Sequence, residues 1–239
     1  MNDDVLISSG DARQAITTWE WIAMGVASAA LIALCATRAA SISWIETFGF
    51  VTGGICVWLG VREHLLNWPI GLINNVVFFV FFFNDRLFAD AFLQWIYFGL
   101  GAWGWWNWIH FQPGTAALPI TRVTRSEWIV LLAFLPLGTM VLRMVLSAVS
   151  GASPFWDALT TLLSLSAQYL LCRKRVENWL VWIVADAIYV PLYVSRAMHL
   201  TAALYALFLL MCIYGFFAWR SQLAKDLLAD APQAAGSSR

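Results

Sequence analysis

The sequence predicts an all-α polytopic membrane protein with eight transmembrane helices, and three observations carry that prediction. Hydrophobic residues fill 61% of the 239 positions and charged ones only 12%, where a soluble domain holds about 25% charged residues. The apolar residues are gathered into eight runs rather than spread along the chain. Lysine and arginine fall mainly on one side of those runs, as cytoplasmic loops require. A mean hydropathy of +0.72 leaves too little polar surface to face water all round, so lipid must solvate part of the chain.

The runs are 19–37, 44–61, 68–83, 89–109, 128–149, 155–172, 179–194 and 200–219. Crossing the hydrocarbon takes about 20 helical residues, so they are slightly short to adequate. The first opens at Trp19 and the second at Trp44, and the second contains Gly49-x-x-x-Gly53, a close-packing spacing. The third sets Asn74 and Asn75 among phenylalanines, and the fourth carries Gly99, Gly101 and Gly104. The fifth, 128–149, holds Arg143 within it, close enough to an end to snorkel. The last three run through 155–172, 179–194 and 200–219. Trp68, Trp108, Trp128, Trp179 and Trp219 join the first two tryptophans at segment ends, as an interfacial aromatic belt places them.

Arg13, Arg62, Arg122, Arg125, Arg173, Lys174, Arg175, Arg220, Lys225 and Arg239 collect on one side, against Arg38, Arg86 and Arg196 on the other. Both termini are therefore expected to be cytoplasmic. The first 18 residues are polar, with Asp3, Asp4 and Asp11, and lack a basic start and small-residue cleavage site, so no cleaved leader is expected. Formal net charge is zero, which gives no field for nucleic acid. Cys35, Cys56, Cys172 and Cys212 lie in apolar runs with no metal spacing and read as small buried hydrophobes. His64, His110 and His199 are scattered, and no serine elbow, phosphate loop or zinc motif occurs, so neither a metal, a cofactor nor an enzyme is indicated.

The chain also repeats itself. A shift of 111 positions lays Asn67-Trp68 on Asn178-Trp179, Arg62 on Arg173, Leu93 on Leu204, Gly104 on Gly215 and Trp108 on Trp219. Runs two to four thus recur as six to eight, with the fifth between them restoring orientation and the first an N-terminal extra. That is a 3+1+3 parallel repeat, an architecture expected to bind substrate near mid-membrane between the halves. The corresponding organisation is a tail and extra helix over 1–43, a first repeat over 44–110, a linker with connecting helix over 111–154, a second repeat over 155–220 and a cytoplasmic tail over 221–239.

Polar residues at membrane depth are costly, a central Asp about 2.5–3.5 kcal/mol on insertion scales, and so need a partner, a water cavity or a substrate. The seventh run offers Asn178, Trp182, Asp186, Tyr189 and Tyr193 on one helical face, with Trp179 a step aside. The fourth presents Asp90, Gln94, Tyr97 and Gly101, and the third Asn67, Gly71, Asn74 and Asn75. In the repeat register Asn75 matches Asp186, Gly71 matches Trp182 and Gln94 matches Tyr205. One half is small and amide-rich and the other aromatic and acidic, which suits an asymmetric ligand with an aromatic face and several hydroxyls. The simpler readings are packing for the aromatics and interhelical hydrogen bonding for Asn74, Asn75 and Gln94.

Asn67-Trp68-Pro69-Ile70-Gly71, Phe88-Ala89-Asp90 through Leu93-Gln94, Gly104-Trp105-Trp106-Asn107-Trp108 and Trp179-x-x-Trp182 resemble the PnuC family of bacterial vitamin transporters over 44–219. The paired tryptophans favour its nicotinamide riboside branch over the thiamine and riboflavin branches. The resemblance implies a SWEET-like fold, a homotrimer in the bacterial inner membrane, and facilitated diffusion of this form of vitamin B3. It also implies uptake driven by a cytoplasmic ribosylnicotinamide kinase, as a step of NAD biosynthesis. Carried onto this sequence, the substrate site falls on Trp182 and Asn178 with Gln94 and Tyr97 facing them. Asn75 and Asp186 join from the depth argument, and Trp179 and Tyr189 from their places on the seventh helix.

Overall fold

The computed structural model describes residues 16–37, 43–110, 118–148 and 153–236, without the side chains of Ala89 and 229–236. Asp3, Asp4, Asp11, Arg13, Arg38 and Arg239, used above for the tail and orientation, lie outside these residues. The described chain is all helical: α1 Thr18–Ala36, α2 Trp44–Val61, α3 Asn67–Asn84, α4 Phe88–His110, α5 Arg125–Ala148, α6 Pro154–Cys172, α7 Asn178–Ser195 and α8 His199–Gly236. Each helix covers one predicted run, with Thr37 just past the end of α1 and residue 149 outside the described residues, and the protein is a multi-pass membrane protein.

Six of the eight are long and apolar enough to cross a membrane by length and composition. The other two are α4, rich in Trp and Tyr, and α6, which carries Thr160, Thr161, Ser164, Ser166 and Gln168. The polar α6 is tolerable because α5 and α7 both pack on it and bury much of its length. The last helix continues 17 residues past Trp219. Its extension is built of strong helix formers such as Ala, Leu, Gln and Lys, and Gln222 donates to Asp226 one turn on at 2.8 Å.

The chain forms two compact units, Met1–Leu118 and Pro119–Arg239. In the first, α1 packs on α2, α2 on α3 and α3 on α4; in the second, α5 packs on α6, α6 on α7 and α7 on α8.

The repeat register is visible in backbone chemistry. Helix α2 ends with Glu63 in the left-handed region (φ 54°), Glu63 N–H donating to Gly60 O at 3.1 Å and His64 N–H to Leu59 O at 2.8 Å. Helix α6 ends 111 residues later with Lys174 at φ 48°, Lys174 N–H on Leu171 O at 3.0 Å and Arg175 N–H on Leu170 O at 2.9 Å. Helix α3 closes on Arg86 and α7 on Ala197 with the same paired bonds, from Leu87 to Phe82 and from Met198 to Tyr193. Four helices therefore end in the same two-bond stop, which satisfies carbonyls that would otherwise be orphaned in an apolar medium. None of the four left-handed residues is glycine, so composition alone gave no warning of these turns.

Side chains repeat the pattern. Trp68 of α3 meets Trp108 of α4 edge-on, centroids 5.2 Å apart at 83°, and Trp179 of α7 meets Trp219 of α8 at 5.4 Å and 90°. All four indoles are buried. Such pairs contribute about 0.5–1.5 kcal/mol beyond their area.

Candidate functional site

The second unit concentrates its polar chemistry on α7 and its two neighbours. At the helix start, Asn178 is fully buried and its Nδ2 donates to Arg175 O at 2.6 Å, tying the α6–α7 turn to the first turn of α7. Its Oδ1 is buried without a protein partner. Trp179 lies in a notch at Gly215, where a Cβ would come within 2.9 Å of the indole. Asn178 and Trp179 thus face the interior of their own unit. Trp182, one turn on, is only half-buried.

Farther along, Asp186 is buried, 5% exposed, and the Cys212 thiol of α8 donates to its Oδ2 at 3.7 Å. No Lys or Arg among the described residues pairs with it. The thiol read from sequence as a plain hydrophobe is therefore also the carboxylate's hydrogen-bond donor. Beyond it, Tyr189 and Tyr193 stack at 5.7 Å and 18°, and Tyr205 of α8 closes on both at 4.9 Å. Thr160 and Ser164 of α6 stand near the Tyr189 hydroxyl, and Tyr205 near that of Tyr193. The result is a carboxylate beside three phenol rings and two aliphatic hydroxyls.

The first unit places different groups at the same register positions. Phe78 and Phe82 stand where Tyr189 and Tyr193 do, also with centroids 5.7 Å apart. Phe78 presses on Gly49, the counterpart of Thr160, so closely that a Cβ there would meet its Cζ at 2.6 Å. The Gly49 spacing predicted close packing, and a phenyl ring fills it. Asn74 Nδ2 donates to Thr52 Oγ1 at 2.6 Å, the interhelical bond expected as one reading of this residue. Asn75 of α3 and Gln94 and Tyr97 of α4 are half-buried, and Asp90 is exposed in the first turn of α4.

The sequence thus singled out eight residues, three in the first unit (Asn75, Gln94 and Tyr97) and five in the second (Asn178, Trp179, Trp182, Asp186 and Tyr189). Within the second unit the structure brings Asp186 and Tyr189 into one cluster, with Thr160, Ser164 and Cys212 as members that sequence reasoning missed. The signal was present, since Thr160 and Ser164 are four apart on one face of α6. The four cysteines are free thiols.

Comparison with known proteins points to one family. A family model described as nicotinamide mononucleotide transporter matches residues 43–221. The chain is similar to the nicotinamide riboside transporter PnuC of Escherichia coli, 28% identical over 74% of this chain and 85% of that one. It is also similar to the riboflavin/roseoflavin transporter RibM of Streptomyces davaonensis, 25% identical over 80% and 92% of the two chains. A crystal structure of the vitamin B3 transporter PnuC superposes with a TM-score of 0.68 at 21% identity, over 88% of this chain and 94% of that one.

Proposed function

The chain belongs to the PnuC, or nicotinamide mononucleotide transporter, family of vitamin transporters, and from that premise we propose that it carries nicotinamide riboside across the membrane by facilitated diffusion. The observation that carries the reading is the Asp186 cluster, a buried carboxylate with no cationic partner among the described residues, beside three tyrosine rings. Nicotinamide riboside offers a flat pyridinium cation and a ribose bearing hydroxyls. The half-buried Trp182 and the tyrosine rings supply faces for the cation, and Asp186 supplies the opposite charge. Thr160 and Ser164 present hydroxyls for the ribose, and Asn75, Gln94 and Tyr97 of the first unit are retained as substrate contacts on the sequence reading alone. Asn178 and Trp179 act one step back in this reading, setting where α7 begins.

A passive carrier must release what it binds, so net uptake is assigned to a cytoplasmic ribosylnicotinamide kinase that phosphorylates the arriving riboside. The working assembly is a homotrimer in the bacterial inner membrane with both termini cytoplasmic. Proteoliposomes enclosing the kinase and ATP should accumulate labelled nicotinamide riboside with no ion gradient, and vesicles without ATP should only equilibrate. Absence of accumulation by correctly inserted protein would reject the proposal.

The relative RibM gives a second reading specific support: riboflavin also has a flat ring and a hydroxyl-rich chain, but no fixed positive charge. Thiamine, with a cationic thiazolium ring and a single hydroxyl, is a third candidate cargo. Calorimetry with nicotinamide riboside, riboflavin and thiamine separates these. A preference for riboflavin would leave Asp186 without its assigned cation.

A further inference from the structure

Helix α1 lies outside the segment that the family model matches, yet its first turn is a copy of another in the same chain. Thr17-x-x-Glu20-Trp21-Ile22 recurs as Thr124-x-x-Glu127-Trp128-Ile129 at the start of α5, a shift of 107. The geometry recurs with it. Thr17 N–H and Oγ1 donate to Glu20 Oε2 at 2.7 and 3.0 Å, and Glu20 N–H returns to Thr17 Oγ1 at 3.3 Å. Thr124 N–H and Oγ1 donate to Glu127 Oε2 at 2.8 and 3.0 Å, and Glu127 N–H returns to Thr124 Oγ1 at 3.3 Å.

In both boxes Oε2 caps the helix and Oε1 is left for a second task. Glu20 Oε1 accepts from Arg62 Nε at 2.7 Å and from Arg62 Nη2. Glu127 Oε1 accepts from Arg175 Nε and Nη2 at 3.2 and 2.9 Å and pairs with Arg173 Nε at 3.3 Å. Arg62 and Arg173 are the same position of the 111-residue repeat, the end of α2 and of α6. Each glutamate therefore ties the start of one helix to the turn from which α3 or α7 departs. Trp21 adds an edge-on contact to His64 of the first turn, centroids 6.2 Å apart.

A capping box by itself is common, and the chain holds a control. Ser43 and Glu46 form a third box at the start of α2, but Glu46 pairs with no Lys or Arg among the described residues. The two clasps are shielded, with side-chain exposures of 17% and 14% for Arg62 and Glu20, and of 12% and 8% for Arg175 and Glu127. Ion pairs so placed are screened far less than surface ones.

We propose that α1 is the counterpart of α5, making the chain two four-helix repeats, and that Glu20 and Glu127 are matched positioning residues that hold the starts of α3 and α7. These helices carry Asn75 on one side of the repeat and Trp182 and Asp186 on the other. The transport readout below rests on the nicotinamide riboside reading.

Glutamine can still complete a capping box, so Glu20→Gln and Glu127→Gln remove the clasp and leave the cap. Exchange of labelled nicotinamide riboside into preloaded proteoliposomes should fall about tenfold in maximal rate for each variant, with half-saturation changed less than about twofold, the scale expected when a supporting partner is lost. Arg62→Gln should do the same, and Glu20→Gln with Arg62→Gln together should be no slower than either alone. Glu46→Gln should leave exchange unchanged. Slowing by Glu127→Gln but not by Glu20→Gln overturns the equivalence of α1 and α5; additive losses, or equal slowing by Glu46→Gln, overturn the clasp. If the unaltered chain exchanges no nicotinamide riboside, the substrate reading fails on its own. The clasps are then read from thermal midpoints of the purified chain, where non-additivity within Glu20–Arg62 and Glu127–Arg175 is expected and its absence overturns them.

Discussion

Replacing Gly215 with alanine tests how the α7–α8 pair is set. A Cβ built there stands 2.9 Å from Cδ2 and Cε2 of Trp179 and 3.0 Å from Cε3. Carbon atoms prefer about 3.5–4.0 Å, so the indole would have to withdraw by about half an ångström or more. It has nowhere to go, being 2% exposed with its neighbour Trp219 set edge-on against it. Overpacking of this kind costs about 1–3 kcal/mol, while glycine to alanine within a helix returns up to about 1 kcal/mol. Gly99→Ala removes the second effect from the comparison, because nothing lies within 4 Å of a Cβ on Gly99 of α4. The difference between the two variants is then the overpacking alone, about 1–3 kcal/mol in favour of Gly99→Ala. Unfolding by sodium dodecyl sulfate in mixed micelles, followed by far-ultraviolet circular dichroism, measures it. Equal stability of the two variants would mean that Trp179 does not fill the notch and that the repeated indole pairs do not fix helix separation.

Three further outcomes follow from the same geometry. Trp182→Ala should abolish calorimetric binding of nicotinamide riboside with little loss of stability, whereas Trp179→Ala should destabilise the chain by about 3–5 kcal/mol, as for other buried tryptophans; binding retained by Trp182→Ala moves the site elsewhere. Asp186→Asn should weaken binding of the cationic riboside by about tenfold, or about 1.4 kcal/mol, and leave the uncharged dihydro form nearly unaffected. Equal losses would show that Asp186 does not read charge. A double-mutant cycle on Thr52→Val and Asn74→Ala should give a coupling of about 0.6 kcal/mol, and no more than about 1.7, as for interhelical hydrogen bonds in membranes.

Much of this protein was fixed at the level of local sequence. Eight helices follow from eight apolar runs, because a backbone in lipid has almost no option but to satisfy its hydrogen bonds within a helix. The 111-residue register was legible for the same reason: turns and the indole pairs at helix ends are short-range features, and Asn67-Trp68 and Asn178-Trp179 mark them in the chain. Hydropathy does not mark the extent of α8 past Trp219, because the extension is polar but helix-forming.

Tertiary packing decided what the side chains on one helical face do. Asn178, Trp182, Asp186 and Tyr189 are neighbours by periodicity alone, but α8 and the α6–α7 turn bury Asn178 and Trp179 as anchors and leave Trp182 half-open. Cys212 and Thr160 entered the cluster only when α8 and α6 closed on α7. The likeness of α1 to α5 lay in four matching letters over six positions, a pattern that by itself spells only a capping box. It acquired meaning once Arg62 and Arg175 came to the same oxygen of Glu20 and Glu127. Periodicity assigns a residue to a face of its own helix; which neighbour meets that face depends on contacts between distant segments, and those exist only in the folded chain.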